Sequence, residues 1–105
     1  MPIQLLNAFS LNMLPDGFSG SVTINPMTIE EVKNDGPFLS AVGHADTAAM
    51  LSNLLGITIP TARVTVTLPA GSLAIVAQYK GPRLPEGTTV LPTGSRIDFI
   101  KITVQ

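Results

Sequence analysis

The amino-acid sequence predicts an α/β domain, a small mixed β-sheet flanked by one main helix and short helices, with residues 1–105 forming a single unit. Length carries the first part of that expectation, because 105 residues suffice for one core and leave little for a second. Hydrophobic periodicity carries the rest. The run Leu73 to Tyr79 is apolar on both faces, as a central strand must be. Thr47, Leu51, Leu54 and Leu55 instead recur at i, i+4, i+7 and i+8 before Gly56, the pattern of a helix's buried face and its stop.

The other elements follow in chain order. Ile3 to Leu6 reads as a buried strand that empties into the polar loop Asn7-Ala8-Phe9-Ser10. Leu11 to Leu14 reads as one helical turn, stopped by Pro15-Asp16-Gly17. Ser21 to Ile24 alternates polar and apolar β-formers and predicts a strand; Thr28, with Glu31 three residues on, predicts a short capped helix reaching Lys33. Asn34-Asp35-Gly36-Pro37 is a turn signal, and Phe38 to Val42 predicts a strand that feeds the main helix. Ala62 to Leu68 sets Val64, Val66 and Leu68 against Arg63, Thr65 and Thr67, so a half-buried strand is expected there. Pro69-Ala70-Gly71 should turn it into Leu73–Tyr79 as a hairpin, the best-defined part of the sheet. A Pro- and Gly-rich loop from Lys80 to Gly87 and a turn at Pro92-Thr93-Gly94 then lead to an alternating strand from Arg96 to Val104.

Composition excludes several kinds of chemistry. The chain has no cysteine and one histidine, which rules out disulfides, thiolate nucleophiles, cysteine zinc sites and a histidine-rich metal site within one chain. No metal or cofactor is expected. Net charge is −1 and the six basic residues are dispersed, which does not fit a DNA-coating protein but leaves room for a compact anionic ligand held by a few arginines and backbone amides. Charged residues make up 12% of the chain against roughly 25% in an average soluble domain, so much of the surface is uncharged, which suits a homodimer. No basic stretch precedes an apolar run at the amino end, and no apolar segment reaches membrane-span length. The expectation is a soluble cytoplasmic protein with no membrane partner.

Candidate site residues fall in three places. His44, in Gly43-His44-Ala45-Asp46-Thr47, sits at the amino end of the main helix, where unpaired N–H groups and the macrodipole favour a phosphate. Position alone allows two roles, a surface or capping residue and a proton carrier beside a bound anion. Asn7, Ser10 and Asn12 lie just past a strand end, where they can hold a ligand by hydrogen bonds or simply cap the loop. Gln78 ends the central strand, and Arg83 and Glu86 follow in a loop stiffened by Pro82 and Pro85. Arginine there offers planar donors to phosphate and glutamate a proton or a hydroxyl acceptor, with a surface ion pair as the plainer alternative.

Taken together, Asn7-Ala8-Phe9-Ser10-Leu11-Asn12-Met13-Leu14, Ala41-Val42-Gly43-His44-Ala45-Asp46-Thr47, Arg63-Val64, and Gln78 through Arg83-Leu84-Pro85-Glu86-Gly87 resemble the small viral and bacterial ring nucleases. These degrade cyclic tetra-adenylate, the second messenger of type III CRISPR immunity. The resemblance runs nearly end to end. It implies a metal-independent nuclease acting as a symmetric homodimer, with the ring across the subunit interface and linear di-adenylate with 2′,3′-cyclic phosphate ends as product. It implies that His44 is the main catalytic group, that Arg83 and Glu86 help form the active site, and that Asn7, Ser10, Asn12, Arg63 and Gln78 line or support the ligand pocket. Two departures stand out. Ala45-Asp46 replaces a polar pair after the histidine of viral members, and Gly81-Pro82 before Arg83 is more similar to bacterial or phage members than to the archaeal viral form. A carboxylate at Asp46 would repel a phosphate unless it caps the helix or points away.

Two other classes of protein meet the same constraints. One is a non-catalytic dimer that sequesters or senses a cyclic oligonucleotide, and the other is a structural interaction module that binds no nucleotide.

Overall fold

A computed structural model describes residues 3–36 and 38–105; Pro37, the last residue of the expected turn, lies outside the described residues. The strands are β1 (Ile3–Leu6), β2 (Val22–Met27), β3 (Phe38–Ala41), β4 (Leu73–Lys80) and β5 (Arg96–Val104). The helices are α1 (Ile29–Asp35) and α2 (Ala45–Leu55), with a single 3₁₀ turn at Leu11–Met13. The five strands form one mixed sheet in the order β2-β5-β4-β1-β3. β1 runs parallel to both β3 and β4, while β4–β5 and β5–β2 are antiparallel.

Local chemistry explains most of these boundaries. α1 begins at a complete capping box: Thr28 Oγ1 accepts from the Glu31 amide at 3.2 Å, and Glu31 Oε1 accepts from the Thr28 amide at 2.9 Å. Its far end is tied to the sheet, since Lys101 Nζ on β5 lies 3.0 Å from Asp35 Oδ2. α2 stops where Gly56 takes a left-handed φ of 70° and its amide donates to the Ser52 carbonyl, a conformation that glycine adopts without steric cost. β2 carries Pro26 and runs to Met27, three residues beyond the alternating stretch; an edge strand tolerates the proline because its outward side needs no amide donor.

Both sheet faces are covered. On one, α1 and α2 bury Val32, Ala48, Leu51 and Leu55 against Leu5, Ile75, Ala77 and Phe99. On the other, Val66 and Leu68 cover Leu6, Val76, Ile102 and Val104, with Phe9, Met13 and Phe18 at the margin. Two-sided burial explains why Ala74 to Ala77 is uniformly apolar.

One sequence expectation is overturned. Residues 62–68 form no strand, and β4 pairs with β5 and β1 instead of with a preceding hairpin arm. Both hydrogen-bonding edges of β4 are thereby occupied. The 62–68 segment lies extended across the second face, held by isolated backbone bonds from the Ala62 amide to the Val42 carbonyl (2.8 Å) and from the Leu68 amide to the Met13 carbonyl (2.6 Å). Val66 and Leu68 are buried while Val64 is 59% exposed, so the alternation marks one-sided burial of an extended chain. Two serines seat the residues just before this segment. Ser40 Oγ donates to the Pro60 carbonyl at 2.6 Å, and Ser52 Oγ accepts from the Ile59 amide at 2.8 Å.

Candidate functional site

Because β1, β3 and β4 are mutually parallel, their carboxyl ends reach the same edge of the sheet. The chain leaves β1 toward the face covered by Phe9 and Met13 and leaves the neighbouring β3 toward the face covered by α2, and such a divergence opens a crevice beyond the strand ends. Asn7 follows β1, Gly43-His44 follows β3, and the Arg83–Glu86 segment follows β4. That edge is where the sequence-predicted residues gather.

His44 is the N-cap residue of α2, with extended backbone and no side-chain capping bond. Its imidazole is therefore not engaged as the helix cap, although its carbonyl accepts from the Ala48 amide at 3.0 Å. The amides of the first turn point past it, with the positive end of the helix dipole. His44, Arg83 and Glu86 border one cavity of about 510 Å³, whose apolar wall is made by Met50, Ala77, Tyr79, Leu84 and Ile97. His44 and Glu86 also border a second cavity of about 540 Å³, together with Gly43, Thr61, Arg63 and Gly87. Arg63 continues into a third of about 450 Å³, where it meets Asn7, Ala8 and Met13. Shared residues join the three into a run from the end of β1, past His44, to the loop after β4.

Arg63 is placed by packing as well as by a bond. Its Nε donates to the Gly43 carbonyl at 3.0 Å, and a Cβ on Gly43 would lie 3.3 Å from Arg63 Cγ, so glycine permits this close approach. The other predicted residues lie further out. Ser10 caps the 3₁₀ turn by accepting from the Asn12 amide at 3.2 Å; both are exposed and neither lines these cavities. Gln78 lies two residues beyond Val76, the partner of Leu6, on the face opposite Ala77 and Tyr79, so it flanks the groove instead of lining it.

The loop after β4 is fifteen residues long, 81–95 between the two strands, a length that in a compact domain usually accompanies function. Its base is clasped by the chain's single tyrosine: Tyr79 Oη donates to the Pro82 carbonyl at 2.6 Å and lies 3.0 Å from Ser95 Oγ. A Cβ on Gly81 would come within 2.8 Å of that hydroxyl and 2.7 Å of Ser95 Oγ, so the clasp requires glycine. Sequence reading passed over this role of Tyr79. A lone tyrosine immediately before Lys-Gly-Pro at a strand end was the available signal. Further on, Asp46 Oδ2 accepts from the Gly87 amide at 2.7 Å, and Asn53 Nδ2 donates to the Thr89 carbonyl at 3.0 Å. Asp46 thus bonds to the loop backbone while bordering both cavities that His44 and Glu86 border.

Among the described residues no group of three or more His, Asp and Glu side chains is arranged to hold a metal ion, and no helix is long and apolar enough to cross a membrane.

Comparison with known proteins agrees with this architecture. The chain is 34% identical over 91 residues to Uncharacterized protein 26 of Sulfolobus islandicus filamentous virus (isolate Iceland/Hveragerdi), a match covering 84% of this chain and 75% of the relative. Its structure superposes on B116 of Sulfolobus turreted icosahedral virus with a TM-score of 0.79 and 28% identity, over 98% of this chain and 99% of that one. The STIV B116-like family model matches residues 3–99, which takes in all of β1 through α2, β4 and the loop after it, and the chain belongs to that family.

Proposed function

We propose that the protein is a ring nuclease that opens cyclic tetra-adenylate to linear di-adenylate with 2′,3′-cyclic phosphate ends, and that it thereby silences type III CRISPR signalling. One observation carries this reading. The only histidine stands at the amino end of α2, with no capping bond to its side chain, and shares its cavities with Arg63, Arg83 and Glu86. Kinship with viral proteins supports an antagonist of host immunity.

The reaction asks little covalent chemistry of the protein. A ribose 2′-hydroxyl attacks the adjacent phosphorus in line, its proton passing to solvent, while the 5′-oxygen departs and must be protonated. His44 acts as the general acid. Arg83 stabilises the charge that builds on the phosphorane oxygens, and Glu86 orients Arg83 or a ribose hydroxyl. The α2 amides hold the scissile phosphate, and Arg63 with Asn7 engages the neighbouring backbone. The unit is a two-fold homodimer that presents one His44 from each subunit to a ring of near two-fold symmetry, giving two cuts from one histidine per chain.

The test is incubation of purified protein with cyclic tetra-adenylate in EDTA, wild type beside His44→Ala, with products resolved by chromatography. Conversion to di-adenylate by the wild type alone is expected. An intact ring that nevertheless stays bound to both proteins would replace the nuclease with a sequestering protein.

A further inference from the structure

Asp46 is the one acidic residue in the first turn of α2, two positions after His44. A carboxylate there serves a bound phosphate poorly, yet its geometry gives it another task. Oδ2 accepts from the Gly87 amide at 2.7 Å, a short, charge-assisted contact. Glu86 is the residue before, and Gly87 takes a φ of 87°, a left-handed conformation that presents its amide without steric cost. Seven residues along the same helix, and so on the same face, Asn53 Nδ2 donates to the Thr89 carbonyl at 3.0 Å. The 87–89 segment is thereby laid along α2 from two points. At the other end of the loop, Tyr79 Oη fixes the Pro82 carbonyl at 2.6 Å. Between these anchors lie Arg83 and Glu86.

We propose that Asp46 is a positioning residue. Its bond to the Gly87 amide sets the loop carrying Arg83 and Glu86 at a fixed distance from the His44 end of α2. That bond commits one carboxylate oxygen to the loop backbone, while Asp46 itself borders both cavities that His44 borders. This role depends on an acceptor atom at this place, which an asparagine also supplies and an alanine does not. The catalytic part of this assignment rests on the ring-nuclease reading; the structural part does not.

Two readouts on wild type, Asp46→Asn and Asp46→Ala test it: amide hydrogen exchange at Gly87 by NMR, and single-turnover cleavage of cyclic tetra-adenylate with its affinity measured separately. Circular dichroism checks that each variant is folded. Asp46→Ala is expected to speed Gly87 exchange at least about tenfold and to slow cleavage by about 10- to 100-fold, as a displaced catalytic loop does, with affinity changed much less. Asp46→Asn should restore protection at Gly87 and most of the cleavage rate. Unchanged Gly87 exchange in a folded Asp46→Ala protein overturns the proposal, as does an Asp46→Asn variant that keeps Gly87 protected but cleaves no better than Asp46→Ala. Loss of Gly87 protection in Asp46→Ala, alongside a wild type that leaves the ring intact, supports the anchor and overturns the nuclease reading instead.

Discussion

The face of the sheet beneath α2 and the loop after β4 are built on opposite terms. Under α2, Leu5, Leu51 and Ile75 are fully buried and Leu55 nearly so, and order there comes from apolar area withdrawn from water at about 25 cal/mol per Å². In the loop, Arg83, Glu86 and Gly87 are exposed, and order comes from a handful of hydrogen bonds, each worth about 0.5–1.5 kcal/mol. His44 stands at the amino end of the helix that covers the first region, and Arg83 with Glu86 lie in the second. A site divided in this way has one rigid partner and one whose position a single bond can alter.

The largest effect is expected at the junction of the two. His44→Ala should leave the melting transition nearly unchanged, because the side chain is exposed and makes no capping bond, while cleavage falls about 10²- to 10⁴-fold. A marked loss of stability would mean that His44 belongs to the scaffold. Leu51→Ala comes next. Removing this buried side chain should cost about 2–5 kcal/mol, measured by urea unfolding, with folded molecules retaining ligand affinity. Tyr79→Phe should cost about 1 kcal/mol globally but raise amide exchange selectively between residues 81 and 88, since it removes the clasp on Pro82. Uniform exchange along the chain would erase the distinction between the regions. Smallest is Asp98→Asn on β5, whose partner Arg96 is 70% exposed at 3.1 Å; a change within about 1 kcal/mol is expected, and a larger one would show that polar contacts matter in the scaffold as well.

Much of this was legible from residue order. The Thr28–Glu31 box, the Gly56 stop and the whole of β5 were recognisable because each is decided within a few residues, by capping, by a left-handed turn or by period-two alternation. The 62–68 segment misled for the same reason. Its alternation satisfies the local rule for a strand, but pairing depends on a free edge, and both edges of β4 were taken by β1 and β5. Among the candidate residues, His44, Arg63, Arg83, Glu86 and Asn7 converge on connected cavities, whereas Ser10 and Asn12 serve a local cap and Gln78 faces the other side of its strand.

By itself the sequence determined the fold class, the two capped helices, the central apolar strand and the placement of one histidine at a helix start, since all of these are short-range consequences of side-chain shape and polarity. Tertiary structure decided which strands pair, that the parallel strand ends open a crevice on one edge, and that Asp46 bonds to Gly87 forty-one residues away. Those outcomes depend on which edges and donors remain unsatisfied once the chain has closed on itself, a condition no local run of residues encodes.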